Sequence, residues 1–333
     1  MTRAPAHAGR LRLSERFAFA LVFALMAGFV VTITVSAAGL HFSLPGGPAA
    51  VAGTQTTPAD EAGSLKLQSA GAGAVQNAER SAAGHTVPVR PASPRLNAML
   101  AAALRTVLST HHGTVAVGVI DVTTGQQALY HAGTQFPAAS IMTADILAAL
   151  LIRHQQSGTS VTSRQARLAA AMMESGSDTA AAGLWRAIGG GNGAASANHL
   201  LKLSHTSSAS GDQWDLASTT VADQLALLTD LTSARSPLAS AARNYALGLL
   251  AGGPAAERWG VAAAASGGSG YAVGGGLPAG PVWDVNSIGV VTHAGQVLLI
   301  AVLSGRSPTE AAGRSLASAA AAAAADVATR RAS

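Results

Sequence analysis

Residues 114–151, TVAVGVIDVTTGQQALYHAGTQFPAASIMTADILAALL, change from one hydrophobic period to another. Thr114 to Val122 is rich in β-branched residues and predicts a strand. Turn residues Thr123 to Gly125 and the short run Gln127 to His131 complete a hairpin. From Ser140 to about Gln155 the apolar residues have helical spacing. The stretch therefore predicts a hairpin followed by a long helix.

Elements on both sides extend this stretch into a larger domain. Helical patterns occupy 96–109, 164–188, 219–231, 238–251 and 308–329, and two further strands occupy Asp284–Val291 and Gln296–Leu303. Strands near both ends with helices between them predict one α+β domain over 96–333. We expect an antiparallel sheet with an inserted helical subdomain. Its N- and C-terminal helices should pack on the same sheet face, because the strands beside them belong to one sheet.

The N-terminal region has the pattern of a membrane anchor. Residues 17–40 contain no charge over 24 positions, which is long enough for a transmembrane helix. Residues 1–16 carry four arginines, so the positive-inside rule keeps this tail cytoplasmic and places the domain outside. The alternative is a signal peptide cleaved after Ala37, which would leave a secreted protein. Residues 41–95 are rich in Ala, Gly, Ser, Pro and Thr and predict a flexible linker.

Composition excludes several classes of chemistry. The chain has no cysteine, which removes disulfides, thiolate metal sites and cysteine nucleophiles. Residues 96–333 carry thirteen positive and twelve negative groups, so this nearly neutral domain has no basic stripe for nucleic acid. Lys66 and Lys202 are the only two lysines, which restricts any lysine-dependent mechanism to these positions. We expect no cofactor and no metal; the adjacent pair His111 and His112 lacks partners at ligand spacing.

Several segments of the domain, in one order, resemble the class A serine β-lactamases and their penicillin-binding-protein relatives. The resemblance covers about residues 96–330. The segments are Phe136–Ser140, Asp145–Leu151, Met172–Glu174, Ala180–Trp185, Trp214–Leu228, Trp259–Val261 and Trp283–Gly289. The resemblance implies a β-lactamase-like fold, with Ser140 at the position of the nucleophile.

The first motif of that family is Ser-x-x-Lys, in which the lysine lies one helical turn after the nucleophile and can accept its proton. Here Ser140 is present but the lysine position is occupied by Thr143, which is no base near neutral pH. The alternative for Ser140 alone is a helix N-cap. The surrounding match favours a vestigial nucleophile position.

The second and third motifs are also degenerate. An ungapped match places Gly176-Ser177-Asp178 at the family's Ser-Asp-Asn, and a shift by one residue gives Ser177-Asp178-Thr179. The alternative is a polar helix start. The third motif, Lys-Thr-Gly, falls in the strand region 271–278, where its lysine position is Gly274 or Val273 and Gly276 permits close backbone approach. A flexible loop is the alternative there.

The omega loop of class A enzymes supplies a glutamate for deacylation, but residues 203–214 contain none. Asp212 and Asp215 are the nearest acids, and both are interpreted as turn or cap residues. A Ser–His–Asp triad could join Ser140 to His131, His154, His199 or His293, and the sequence offers no geometric reason to choose one.

Two functions follow. The first is a membrane-tethered, extracytoplasmic β-lactamase-like pseudoenzyme that serves as a binding or scaffold module, with a cell-wall peptide or an envelope protein as partner. The second is a serine hydrolase that uses Ser140 with a base other than lysine. Groups within hydrogen-bond reach of Ser140 discriminate between them.

Overall fold

The computed structural model describes residues 86–207, 211–253, 259–266 and 270–330, and the backbone of 32–36 and 39–43. The chain divides into two units, residues 1–66 and 67–333. In the first unit, β1 (Thr32–Ser36) and β2 (Gly39–Ser43) form an antiparallel hairpin. Residues 32–36 and 39–40 of the segment predicted as a membrane helix lie in these two strands. Residues 17–31 of that prediction lie outside the described residues. No helix in the described part of the chain combines the length and apolar character needed to cross a bilayer.

The second unit contains eight α-helices among its described residues. They are α1 (Pro94–Leu108), α2 (Met142–Ser157), α3 (Ser163–Ser175), α4 (Asp178–Ile188), α5 (Gly190–Leu201), α6 (Val221–Thr232), α7 (Ser240–Ala251) and α8 (Glu310–Thr329). Its strands are β3 (Thr114–Asp121), β4 (Gln127–Tyr130), β5 (Gln135–Pro137), β6 (Ser218–Thr220), β7 (Gly270–Ala279), β8 (Val282–His293) and β9 (Gln296–Gly305).

Five of these strands form one antiparallel sheet in the order β4-β3-β9-β8-β7. β3 from the start of the domain pairs with β9 from its end, as Thr114 opposite Gly305 and Asp121 opposite Leu298 illustrate. The sheet thus combines strands from the beginning and the end of the domain. The predicted α+β class is confirmed. The inserted residues fold into α2 to α7.

Each face of the sheet has its own core. On one face, Leu100 and Leu104 of α1 share a cluster with the alanines of α8 and with Val117 and Val302 of the sheet. The expectation that the first and last helices pack on one face is therefore confirmed. On the other face the helical subdomain packs against the sheet, with α2 at its centre. Every residue of α2 from Met142 to Ile152 is buried, as expected for a helix surrounded by protein.

Small residues let α8 lie close to the sheet. Its buried positions are Gly313, Leu316, five alanines and Val327. A Cβ on Gly313 would collide with Val285 of β8. The alanine-rich composition thus builds this core through close approach rather than through large side chains.

The ordered domain begins before residue 96, where the sequence predicts its start. Val87 is buried, and the backbone N–H of Arg90 donates to the Gly125 carbonyl. Ser93 caps α1 by accepting from the Leu96 N–H at 3.4 Å. Residues 86–95, predicted as the end of the linker, therefore pack on the β3–β4 hairpin.

Candidate active site

Ser140 lies at the N-terminal end of the central helix. A 3₁₀ turn, Ala139–Ile141, leads directly into α2, so the partial positive charge of the helix N-terminus is near the hydroxyl. The segment before it is fixed by pairing of β5 with β6 and by the Ala138 N–H, which donates to the Ala217 carbonyl at 2.6 Å. Ala139 has φ of 52°, a conformation that costs a non-glycine residue free energy. Ser140 is therefore held on a strained turn.

Asn286 of β8 keeps that turn in place. Its side-chain amide donates to the carbonyls of Pro137 at 2.7 Å and Ala138 at 3.1 Å. Its amide oxygen accepts from the Ser304 N–H at 3.0 Å, and the residue has 0% exposure. Asn286 is a positioning residue for Ser140 that the sequence reasoning missed. An asparagine within the apolar run of residues 285–291 was the available signal.

The glycine-rich strand β7 passes directly against Ser140. A Cβ on Gly275 would collide with the Cβ and Oγ of Ser140, so this position has no room for a side chain. β7 is an edge strand, hydrogen-bonded to β8 alone among the described strands. The possibility that residues 271–278 form a flexible loop is wrong, because they belong to a regular strand of ten residues.

The alternation of β7 separates its two faces. A Cβ on Gly274 would meet the Trp259 ring at 2.8 Å, and a Cβ on Gly276 would meet Glu310 at 3.0 Å. Both glycines thus point away from Ser140, whereas Gly275 points towards it. Since side chains alternate with a period of two, Val273 shares the face of Gly275. Of the two candidates for the lysine position, Val273 therefore lies on the face towards Ser140 and Gly274 on the opposite face, and neither residue carries a charge.

Thr143 lies one turn beyond Ser140 and is buried. Its hydroxyl donates to the Ser140 carbonyl at 2.7 Å, the usual back-bonding of a threonine within a helix. Among the described residues no hydrogen bond of the Ser140 hydroxyl is found. Hydrogen bonds of two histidines lie elsewhere: His154 bonds to Thr159 and Gln165, and His293 to Ala264 and Asp326. No hydrogen bond among the described residues joins a histidine or a carboxylate to the serine hydroxyl.

Ser177 and Asp178 form the start of α4. The Ser177 hydroxyl accepts from the Ala180 N–H at 3.2 Å, and Asp178 is exposed in the first turn, where a negative charge suits the helix dipole. These contacts correspond to the polar helix start that the sequence left open. No hydrogen bond or ion pair within the described ranges joins either residue to Ser140.

The loop that precedes β6 is attached to α4. Asp212 forms an exposed ion pair with Arg186 at 3.0 Å, and Trp185 Nε1 donates to the Gly211 carbonyl at 2.8 Å. Asp215 lies in a 3₁₀ turn, Trp214–Leu216. Asp212 thus fixes the loop to the helical subdomain.

A second polar group on α2 opens the segment Asp145–Leu151, but no role was predicted for it from the sequence. Asp145 is buried, and its carboxylate accepts from the Gln224 amide at 3.3 Å. Burial is the main cause that raises its pKa to about 7, the bond to Gln224 opposes this, and the nearby Asp223 adds to it. Asp145 follows Ser140 by five residues, roughly 140° around a helix, so it faces α6 and not the serine.

The described residues contain no cluster of three His, Asp or Glu side chains that could hold a metal ion. His111 of the adjacent histidine pair bonds instead to the Val107 carbonyl at 3.0 Å and to Ser315 at 3.2 Å.

Comparison with known proteins identifies the fold. A β-lactamase from Xanthomonas campestris pv. campestris superimposes with a TM-score of 0.59 at 18% identity, over 70% of this chain and 98% of that one. The extended-spectrum β-lactamase TLA-1 matches with a TM-score of 0.64 at 13% identity, over 70% and 99%. A structure described as PBP-A matches with a TM-score of 0.60 at 15% identity, over 72% and 98%. No protein-family model matches the chain, and no curated protein has significant sequence similarity to it.

The domain therefore has the fold shared by class A β-lactamases and penicillin-binding-protein-like structures. This confirms the fold expected from the segments around Ser140. At such low identities the likeness concerns the fold.

Proposed function

We propose that the chain is a membrane-tethered, extracytoplasmic β-lactamase-like protein without hydrolytic activity, which acts as a binding or scaffold module at the cell envelope. The observation that carries the proposal is the surroundings of Ser140. The hydroxyl lies against Gly275, and Thr143, whose own hydroxyl donates to a backbone carbonyl, stands where the family has its general base. Val273, on the same face of β7, supplies no cation.

Loss of these groups has a large expected effect on rate. A positioned general base contributes about a hundred- to ten-thousandfold. When several members of a serine-hydrolase catalytic unit are absent, the combined loss approaches about a millionfold. Without a general base, hydrolysis of a substrate by Ser140 would therefore be too slow for an enzyme.

The binding role is supported by the edge position of β7, which pairs with β8 alone among the described strands. An edge strand can pair through its outer backbone N–H and C=O groups with an added strand. Gly275, which faces Ser140, places no side chain between that edge and the hydroxyl. An extended peptide can thus pair with β7 and lie across the serine. A cell-wall peptide or an extended segment of an envelope protein has this form.

The alternative, a serine hydrolase with another base, is favoured by one observation. The strained Ala139 and its buried support Asn286 maintain a turn that a mere N-cap would not require. A substrate that carries its own base could still use such a serine.

The test is mass spectrometry of the intact protein after incubation with a penicillin. We expect no mass increase, and no hydrolysis of a chromogenic cephalosporin, because no base in the described part of the chain forms a hydrogen bond with Ser140. Thr143→Lys alone should also give no turnover, since Val273 and a loop without glutamate remain.

An active class A β-lactamase serves as the positive control for that experiment. A stoichiometric adduct that disappears in Ser140→Ala would show that Ser140 has another base. The hydrolase would then replace the pseudoenzyme.

The topology is tested separately by protease treatment of spheroplasts. We expect residues 41–333 to be digested and residues 1–16 to be spared, because the arginines flank only the N-terminal side of the apolar run. A C-terminal epitope that is fully protected in intact spheroplasts, but digested after lysis, would contradict the proposed orientation.

A further inference from the structure

A cavity of about 480 Å³ is lined by residues other than those that surround Ser140. It is formed by the segment before α1, the β3–β4 turn, the start of β9 and the end of α8. Its lining consists of Arg90, Pro91, Ser93, Arg95, Leu96, Met99, Asp121, Thr124, Gln126, Gln296, Ala328, Thr329 and Arg330. This volume lies within the usual range for sites of small organic ligands.

The charge of the cavity is positive. Arg90, Arg95 and Arg330 contribute three guanidinium groups, and Asp121 is the single carboxylate. None of the three arginines forms an ion pair with a carboxylate of the described residues. Asp121 Oδ1 already accepts from the N–H groups of Thr123 at 2.8 Å and Thr124 at 3.2 Å, so this oxygen is engaged within the turn, and three arginines against one carboxylate leave the lining with a positive net charge. The arginines are thus available to an anion.

The other lining residues indicate which chemical groups of the ligand are attached to the anion. Leu96, Met99 and Ala328 supply apolar wall, which suits carbon atoms of a ligand. Gln296 contributes a buried side-chain oxygen that lacks a hydrogen-bond partner within the described part of the protein. A buried acceptor without a partner is costly, and a ligand hydroxyl would supply the missing donor.

We propose that this cavity binds a phosphate ester that bears hydroxyl groups. Planar guanidinium forks match the oxygens of a phosphate, and three of them suit a group with several charged oxygens. A bare phosphate ion would leave most of the cavity empty. The ester's organic part lies along the apolar wall, and one hydroxyl donates to Gln296.

Such an ester has two sources, a free polyol phosphate or the glycerophosphate headgroup of a lipid. Both present the same phosphate and hydroxyl chemistry to the cavity. They differ in the acyl chains, so soluble probes with and without chains distinguish them.

The experiment is calorimetric titration of the full-length protein in an uncharged detergent. The probes are inorganic phosphate, glycerol 3-phosphate, dihexanoyl phosphatidylglycerol and dihexanoyl phosphatidylcholine. We expect glycerol 3-phosphate to bind more tightly than inorganic phosphate, and binding to weaken with salt because the arginines are exposed. Tighter binding of dihexanoyl phosphatidylglycerol than of glycerol 3-phosphate identifies the lipid source, and the reverse order identifies the free ester.

Variants locate the site. Arg90→Gln, Arg95→Gln and Arg330→Gln should each weaken glycerol 3-phosphate binding about threefold to tenfold. Gln296→Leu should reduce the preference for glycerol 3-phosphate over inorganic phosphate. The matched control is Arg164→Gln, which removes one exposed positive charge on α3 and should leave binding unchanged.

Three results would overturn the proposal. They are the absence of binding by every phosphate probe, an equal loss in Arg164→Gln, and equal affinities for inorganic phosphate and glycerol 3-phosphate. Circular dichroism of each variant shows whether a loss of binding merely reports unfolding.

Discussion

Removal of α8 should leave the domain unable to fold. The helix covers one face of the five-stranded sheet with eight buried residues, and it packs beside Leu100 and Leu104 of α1. Its loss would expose both its own cluster and the strands beneath it. The free energy of unfolding of a domain is only about 5–15 kcal/mol. The free energy lost when one face of the sheet is exposed to water is larger than this margin. A chain of residues 67–307 should be insoluble or lack a cooperative unfolding transition.

A point substitution makes the same prediction with a matched control. Ala320→Asp places a carboxylate where exposure is 0% and the surroundings are apolar, which costs several kcal/mol. Ala311→Asp introduces the same charge at an exposed position in the first turn of α8, where the helix dipole favours it. Thermal unfolding should show a collapse of Tm for Ala320→Asp alone. A soluble truncation that unfolds cooperatively, or equal effects of the two substitutions, would contradict the role of this face.

The elements that sequence reasoning placed correctly have strong local patterns. The β-branched run at 114–122 and the helical spacing after Ser140 predict the central strand and α2 directly. Packing of α1 and α8 on one face then follows from the shared sheet. These features depend on the spacing of apolar residues, which can be determined from one sequence alone.

The features that were missed depend on contacts between distant residues. α5 begins within a run of glycines that has no helical pattern, and Gly193 is required there because a Cβ would collide with the Ile188 carbonyl. Which face of β7 meets Ser140 is decided by register with β8, a pairing across about ten residues. Asn286 supports the turn that carries Ser140 from a position about 150 residues away in sequence. No local pattern reports such a partner.

Asp145 is a buried carboxyl group whose burial and partners could not be predicted from the sequence. It stands in an apolar helix with neither lysine nor arginine beside it. Its neighbours on α6 are Gln224, which donates to it, and Asp223, which accepts from Thr206 at 2.8 Å and from the His205 N–H at 2.8 Å. The Gln224 amide oxygen is buried without a partner within the described residues. Ionised Asp145 thus has the Gln224 amide and its own backbone N–H as donors, and it lies near a second carboxylate, Asp223.

The pH dependence of stability follows from the pKa of Asp145. Burial raises its pKa from 3.8 to about 7 in the folded protein. Between these values the folded state retains a proton that the unfolded state has lost, so stability falls as pH rises from about 4 to about 7 and is level above. With about 1.4 kcal/mol for each pKa unit, the penalty at pH 8 is on the order of 4 kcal/mol.

Asp145→Asn should remove that penalty. The amide keeps the shape of the carboxyl, carries no charge and offers an N–H to the unpaired oxygen of Gln224. In urea unfolding of residues 67–333 at pH 8, the variant should be more stable than the parent by up to about 4 kcal/mol. The difference should shrink to within about 1 kcal/mol near pH 4, where the parent carboxyl is protonated in the folded state.

The pKa of Asp230 is also raised, to about 6, but that group is present in both proteins and cancels in the comparison. Asp178→Asn, at an exposed carboxylate, is the matched control and should show no such gain with pH. A stability difference for Asp145→Asn that does not change between pH 4 and pH 8 would mean that Asp145 titrates normally, and that α2 tolerates its charge.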